Sequence, residues 1–324
     1  MADKLGPMAE AVRAAYAAGE EDEALLPRVA VGPDGKPVGR IGDGDPVIFY
    51  DIRGEREVEL TRAFTDPAFA AFPTGGRRAR FFTMIEYHST LDARVAFPPE
   101  VALAGTLVES IVNAGKKIVK IVESEKAVHL SYFLNGKRET PFDGERRVII
   151  ESRKDVANYD QAPEMSAPEV TEKVIEELRG DADVIVVNYA NVDVVGHIEN
   201  PEAVIAAVEA VDRELGLALA AAKAAGVPAV VTADHGTVEK WLYPDGKVDT
   251  GHTDSPAPFA LVGGGLEELK LQKGGALTDV GPTALTLLGL PVPPQMTGRS
   301  LIDGATPEPV KRLLILILDG WGER

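Results

Sequence analysis

Three apolar runs in this chain end in the same way, and they constrain its fold more than any other feature. Ala229-Val230-Val231-Thr232-Ala233 climbs to Asp234-His235 and stops at Gly236. Asp183 to Tyr189 (DVIVVNY) runs into Ala190-Asn191-Val192-Asp193, and Leu313 to Leu318 (LLILIL) runs into Asp319-Gly320. Near-continuous apolar runs of this length are the pattern of parallel strands buried on both faces. In open α/β sheets, ligands bind outside the carboxyl ends of the strands. Three strands ending in Asp therefore point to a metal or phosphate site.

The segments around these runs alternate between helix and strand. Helices are expected over 8–18, 53–64, 100–114, 125–134, 168–178, 202–225 and 278–288. Strands are expected over 46–51, 80–84, 117–122, 183–189, 229–233, 259–262 and 311–318. That alternation predicts an α/β fold with a mostly parallel sheet. The stretch 152–168 is polar and punctuated by proline, so a lobe boundary is placed there. Residues 1–157 form one expected lobe and 158–324 a second.

Composition removes several classes of function. With 51 acidic and 34 basic residues the net charge is -17, which argues against a broad nucleic-acid-binding face. There are no cysteines, so thiolate and disulfide chemistry are excluded and a cytoplasmic setting is expected. Any metal must be held by His, Asp or Glu. No apolar run approaches the roughly 18 residues of a membrane span, and Met1-Ala2-Asp3-Lys4 opens no apolar signal core.

The histidines narrow the site. Asp193 and His197 are four apart, which puts both on one face of a helical turn. Asp234 and His235 are adjacent and can fan out from a strand end. His252 sits in a glycine-flanked loop. Each feature alone has an ordinary reading: a surface pair, a cap or turn, a loop histidine. Together with Asp319 they make three His and three Asp, an N/O set suited to manganese, zinc or iron. His88 and His129 look more ordinary. Arg53 and Arg56 are three apart near the start of a predicted helix, a plausible anion site, with Lys126 as a possible third cation. Taken singly, these cations read as a solvated helix face.

Several stretches then resemble one family. They are Arg53-Gly54-Glu55-Arg56, Glu86-Tyr87, Val95-Ala96-Phe97-Pro98-Pro99, Ser124-Glu125-Lys126 with His129, and Phe133-Leu134-Asn135-Gly136. Tyr159-Asp160 with Pro163 to Ala167, Asn188 to His197, Ala233 to Gly236, His252-Thr253 and Met296 to Leu301 continue the match. The chain resembles the cofactor-independent (2,3-bisphosphoglycerate-independent) phosphoglycerate mutases of the alkaline-phosphatase superfamily. The resemblance implies an alkaline-phosphatase-like parallel-sheet domain, with part of a second α/β domain for substrate. It also implies two divalent ions, Mn2+ by expectation. Asp193, His197 and His252 would hold one ion; Asp234 and His235, with Asp319, would hold the other. Arg53, Arg56 and Lys126 would bind 3-phosphoglycerate or 2-phosphoglycerate, between whose hydroxyls a serine carries the phosphoryl group.

Two departures shape the expectation. Leu316 to Gly322 resembles the family's first strand, yet here 311–324 follows Met296 to Leu301, which resembles the family's usual end. The order therefore looks circularly permuted. The Asn-Ser-Glu nucleophile segment has no counterpart, and Ser300, matching the family's C-terminal region, does not replace it. Thr237 stands where the family has Asn. The expectation is a mutase-type chain that is incomplete or inactive alone, with a second polypeptide supplying the missing segment. The alternatives are a metal-dependent phosphomonoesterase, or a non-catalytic subunit that binds metal or phosphoglycerate.

Overall fold

The computed structural model describes residues 6–20, 25–52, 57–98, 102–243 and 246–324. The chain divides into two compact units, Met1–Glu100 and Val101–Arg324.

In the first unit, helix α1 (Pro7–Ala17) precedes a β/α arrangement. Its strands are β1 (Pro46–Phe49), β2 (Arg80–Ile85) and β3 (Arg94–Phe97), with helix α2 (Glu57–Thr65) between the first two. The strands form a three-stranded parallel sheet in the order β1-β2-β3. Aromatic rings fix the helix on the sheet. Phe64 of α2 stacks on Phe81 with centroids 5.5 Å apart, and Phe49 meets Phe81 edge-on at the same distance. The start of the expected helix over 53–64 lies outside the described residues. Strand β3 has no counterpart in the sequence reading.

The second unit holds the long sheet. It opens with helix α3 (Leu107–Asn113), then strands β4 (Ile118–Glu123) and β5 (Glu145–Ile150). Helix α4 (Ala167–Leu178), strand β6 (Val184–Tyr189), the short helix α5 (Asn191–Gly196) and the long helix α6 (Pro201–Ala224) follow. Strands β7 (Ala229–Thr232), β8 (Phe259–Val262) and β9 (Lys270–Leu271), helix α7 (Val280–Leu287), and strands β10 (Ile302–Asp303) and β11 (Leu313–Leu318) complete it. Six strands form one sheet in the order β5-β4-β6-β11-β7-β8. All neighbours are parallel except β7 and β8. Strands β9 and β10 make a separate antiparallel pair.

Both faces of the large sheet are covered, which is why β4, β6 and β7 are buried along their whole length. Val119, Ile185, Val231 and Leu316 pack with α4 and α6 through Val170, Val174, Val211 and Ala218. The alternate residues Ile118, Val184, Val230 and Ile315 pack with α3 and α7 through Val108, Ile111, Leu285 and Leu287. The period of two along each strand thus feeds two separate cores.

The boundary expected near 157/158 falls inside this unit. Strands β4 and β5 lie before it in sequence but belong to the same sheet as β6, with Ile118 paired to Val184 and Ile121 to Val187. Hydrogen bonding across β4 and β6 overrides the break in composition at 152–168. The expected helix over 125–134 is a 3-10 turn, Ser124–Lys126, followed by a π-helical turn, His129–Phe133. Among the described residues, no helix is long and apolar enough to cross a membrane.

Candidate metal centre

Strands β6, β11 and β7 are neighbours and run parallel, so their carboxyl ends lie side by side. Ile317 is level with Asn188 on one side and with Thr232 on the other. One residue beyond β11 comes Asp319, and just beyond β7 come Asp234 and His235. Helix α5 starts immediately after β6 and carries Asp193 in its first turn. Its C-cap is His197, and the indole of Trp241 donates to the Gly196 carbonyl at 3.0 Å, pinning that end.

The β11 turn must pass very close to α5. The backbone N–H of Asp193 donates to the Asp319 carbonyl at 3.1 Å. Gly320 follows with φ +78°, and a Cβ there would lie 2.7 Å from the Asp193 Cα. Only glycine meets both demands. The Gly320 N–H then donates to Asp234 Oδ1 at 3.2 Å, tying the ends of β11 and β7 together.

Two groups of potential ligands converge here. In the first, Asp193 Oδ1 lies 3.2 Å from His197 Nε2 and 3.1 Å from His252 Nε2. In the second, His235 Nε2 lies 3.7 Å from both Asp193 Oδ1 and Asp319 Oδ1. Asp193 belongs to both groups, a sharing that spacing along the chain could not reveal. Asp234 flanks the second group. Its Oδ2 is 3.4 Å from His235 Nε2, while its Oδ1 accepts from the His235 backbone N–H at 3.0 Å.

The histidine rings are oriented for ligation. His197 Nδ1 lies 2.6 Å from the Thr250 carbonyl, which can only accept, so this nitrogen carries the proton and Nε2 faces Asp193. His235 and His252 stack with ring centroids 3.7 Å apart. Burial and the neighbouring His235 push the His252 ring below its ordinary value, favouring the neutral form that ligation needs. His197 is raised, chiefly by its hydrogen bond to Asp193. The set is nitrogen and oxygen only, and it fits a borderline divalent cation.

The carboxylates are buried, Asp193 at 3% exposure and Asp319 at 0%. Burial pushes the Asp193 carboxyl up, but the His197 hydrogen bond and the Lys126 charge outweigh it and hold it well below the usual range. Asp319 goes the other way. Burial raises it and the Asp234 charge adds to that, while Lys126 and Asn188 oppose.

Lys126 stands between them, with Nζ 2.5 Å from Asp193 Oδ2 and 2.9 Å from Asp319 Oδ1. Its ammonium is thus engaged by carboxylates of the cluster. Arg53 and Arg56 lie outside the described residues.

Three supporting residues escaped the sequence reading as participants. Asn188 Nδ2 donates to Asp319 Oδ2 at 2.8 Å. Thr237 is fully buried, and its hydroxyl lies 3.4 Å from Asp193 Oδ1. Glu239 accepts from the Thr237 backbone at 3.0 Å and from the Thr253 hydroxyl, so it braces the loop that carries His252. Asn188 is the penultimate residue of β6 and could have been suspected from that position. Glu239 carried no signal of spacing.

Comparison with known proteins shows what the chain is similar to. A 2,3-bisphosphoglycerate-independent phosphoglycerate mutase of Pseudomonas paraeruginosa is 45% identical over 296 residues, covering 90% of this chain and 56% of that protein. The enzyme of the same name from Moorella thermoacetica is 45% identical over 295 residues, with the same coverage. The chain therefore spans about half the length of the curated relatives it matches. Among solved structures, Leishmania mexicana phosphoglycerate mutase, crystallised at low cobalt concentration, superposes with a TM-score of 0.73 at 30% identity. That match covers 85% of this chain and 53% of the other. The expected alkaline-phosphatase-like α/β fold, dominated by parallel strands, is the one found. The description of the Metalloenzyme superfamily matches residues 43–292, well over half of the 324, and to that superfamily the chain belongs.

Proposed function

We propose that this chain carries the metal-binding part of a phosphoglycerate mutase centre, which interconverts 3-phosphoglycerate and 2-phosphoglycerate. The observation that carries the reading is the meeting of Asp193, His197, His235, His252 and Asp319 at the ends of adjacent parallel strands. The names of the relatives supply the substrate class.

In this reading Asp193, His197 and His252 hold one Mn2+, and Asp234, His235 and Asp319 hold a second, with Asp193 close to both. Divalent ions so held would neutralise charge on the phosphoryl oxygens and on the attacking oxygen. The chain's own residues do the positioning. His197 is kept in one tautomer by the Thr250 carbonyl. Asn188 and Lys126 orient the Asp319 carboxylate. Arg53 and Arg56 are assigned to the substrate's phosphate and carboxylate, where a guanidinium can bind with two hydrogen bonds. A cytoplasmic setting goes with this activity and with the absence of cysteine.

The phosphoryl-accepting serine is assigned to a polypeptide segment outside these 324 residues, and β11 takes the place of the family's first strand. Conversion of 3-phosphoglycerate to 2-phosphoglycerate with Mn2+ tests the assignment. The chain alone is expected to show no turnover. Turnover is expected once a polypeptide carrying the Asn-Ser-Glu segment is added. Mutase activity of the chain by itself would overturn the external serine. Phosphate release without isomerisation, lost in Asp234→Ala, would replace the mutase reading with a phosphomonoesterase using water.

A further inference from the structure

We propose that a groove in the first unit binds an acyl carboxylate, a single anionic head on a flexible apolar chain. The groove shares no residue with the metal centre, and the proposal stands apart from the mutase reading.

Four stretches of chain enclose the groove. Helix α1 supplies Met8, and α2 supplies Leu60, Ala63 and Phe64. Residues from 28–41 and from 72–77 close the other sides around a cavity of about 720 Å³. That volume falls within the range of small-molecule sites, roughly 300–1,000 Å³. Hydrogen bonds within the unit hold these walls in place. The Val38 N–H donates to the Ala30 carbonyl at 2.9 Å, which folds 28–41 back on itself. The Arg78 N–H donates to Asp43 Oδ1 at 2.9 Å, and the Ala79 N–H to the Phe64 carbonyl at 3.2 Å, which ties the end of 72–77 to α2. Phe72 meets Phe69 edge-on with ring centroids 4.8 Å apart.

The walls are apolar and bare. Met8, Val29, Val38, Ile41, Leu60 and Phe72 are 37% to 66% exposed, and all six line this one groove. Apolar side chains scattered singly over a surface need no explanation, but a contiguous patch with a polar rim marks a binding surface. The rim here is cationic. Arg28, Arg40 and Arg77 line the groove, and no Asp or Glu does. In a chain of net charge -17, that local reversal of sign attracts an anion which the rest of the surface repels. Arg28 is already engaged by Glu20 at 2.5 Å. Arg40 and Arg77 have no side-chain partner among the described residues, so two guanidinium forks are free for a carboxylate. Walls on four sides suit one acyl chain rather than a flat membrane or a protein face.

Calorimetric titration of the full chain with octanoate, decanoate and dodecanoate tests this, below their micelle concentrations and with a chelator present. The chelator keeps the carboxylates from reporting on bound metal. One equivalent is expected to bind, and each added methylene should tighten binding by about threefold. In the double variant Arg40→Ala/Arg77→Ala, decanoate should bind at least about tenfold more weakly, while 1-decanol should bind both proteins alike. Both arginines are exposed, so this variant should keep the wild-type melting temperature. Leu60→Glu, which sets a carboxylate into the wall from a different element, should abolish decanoate binding. Three results would each overturn the proposal: no saturable binding of any carboxylate, unchanged affinity in the arginine variant, or decylammonium binding as tightly as decanoate. Adsorption to phosphatidylglycerol vesicles without binding of monomeric decanoate would overturn it in favour of a membrane-facing patch. A wild-type dimer that Leu60→Glu dissociates, again without decanoate binding, would overturn it in favour of a contact between copies.

Discussion

Lys120 shows how much a single buried charge can govern. It is 1% exposed, and its ammonium meets Glu145 Oε1 at 2.8 Å. Burial pushes it down to about 8, despite the partner. Glu145 is also pushed up by burial, but hydrogen bonds from Lys120 and Arg147 hold it below its ordinary value. Glu145 therefore stays ionised at neutral pH, and Lys120 is the member that gives up its charge first as pH rises. The folded value lies below the unfolded 10.5, so between about 8 and 10.5 the unfolded chain holds more protons and stability rises with pH. Lys120→Met should abolish that rise. At pH 7 it should also cost about 3 kcal/mol, toward the low end for a broken buried pair because Arg147 Nε stays 2.6 Å from Glu145. Guanidinium unfolding across the pH series measures both effects, and an unaltered pH slope in the variant would contradict the assignment. At this scale the His and Asp residues that converge could be picked out in sequence because histidine is scarce, five in the chain, and three of the five sit in short polar segments beside strand ends. Asn188 and Glu239 were not, because a supporting hydrogen bond leaves no pattern along the chain.

Among the elements, β11 does most to unite fold and site. It lies between β6 and β7 in the middle of the sheet, and Leu316 is fully exposed to neither solvent nor edge: its side chain is completely buried among residues of α4, α6 and the neighbouring strands. Leu316→Ala should lower stability by roughly 2–5 kcal/mol, the range for a large-to-small change in a packed core. Urea unfolding checks it, and a loss below about 1 kcal/mol would mean the strand is not integrated as described. Most elements could be read from periodicity, α6 and β6 to within a residue or two. Strand β5 could not, because Glu145-Arg146-Arg147 opens it with charge at the sheet edge. The expected helix from residue 100 begins only at Leu107. Gly105, with φ +72°, precedes Thr106, whose hydroxyl caps the Glu109 N–H at 3.2 Å.

For the molecule as a whole, metal binding should act as a stabiliser of the native state. Ligand binding to the folded form alone adds about 2.7 kcal/mol at a hundredfold excess over Kd. Mn2+ is therefore expected to raise the melting temperature, and a chelator to reverse the rise. Because Asp193 lies in both groups, Asp193→Asn should remove most of the shift, whereas His252→Ala should keep part of it. Differential scanning calorimetry of the three proteins decides it. Equal shifts in wild type and Asp193→Asn would exclude the shared carboxylate.

The sequence by itself determined the α/β class, the near-continuous apolar strands and the residue types at their ends. These follow from local periodicity and from side-chain chemistry, which neighbours in the chain are enough to express. Only the tertiary structure decided which strands are neighbours. It brought 118–123 and 145–150 into the same sheet as 184–189, and it set 313–318 at the centre between 184–189 and 229–232. From that order follow Asp193 shared between two candidate ligand groups, Gly320 pressed against it, and Lys126 between two carboxylates. Hydrogen bonds between strands far apart in sequence fix the order, and one chain's spacing carries no record of them.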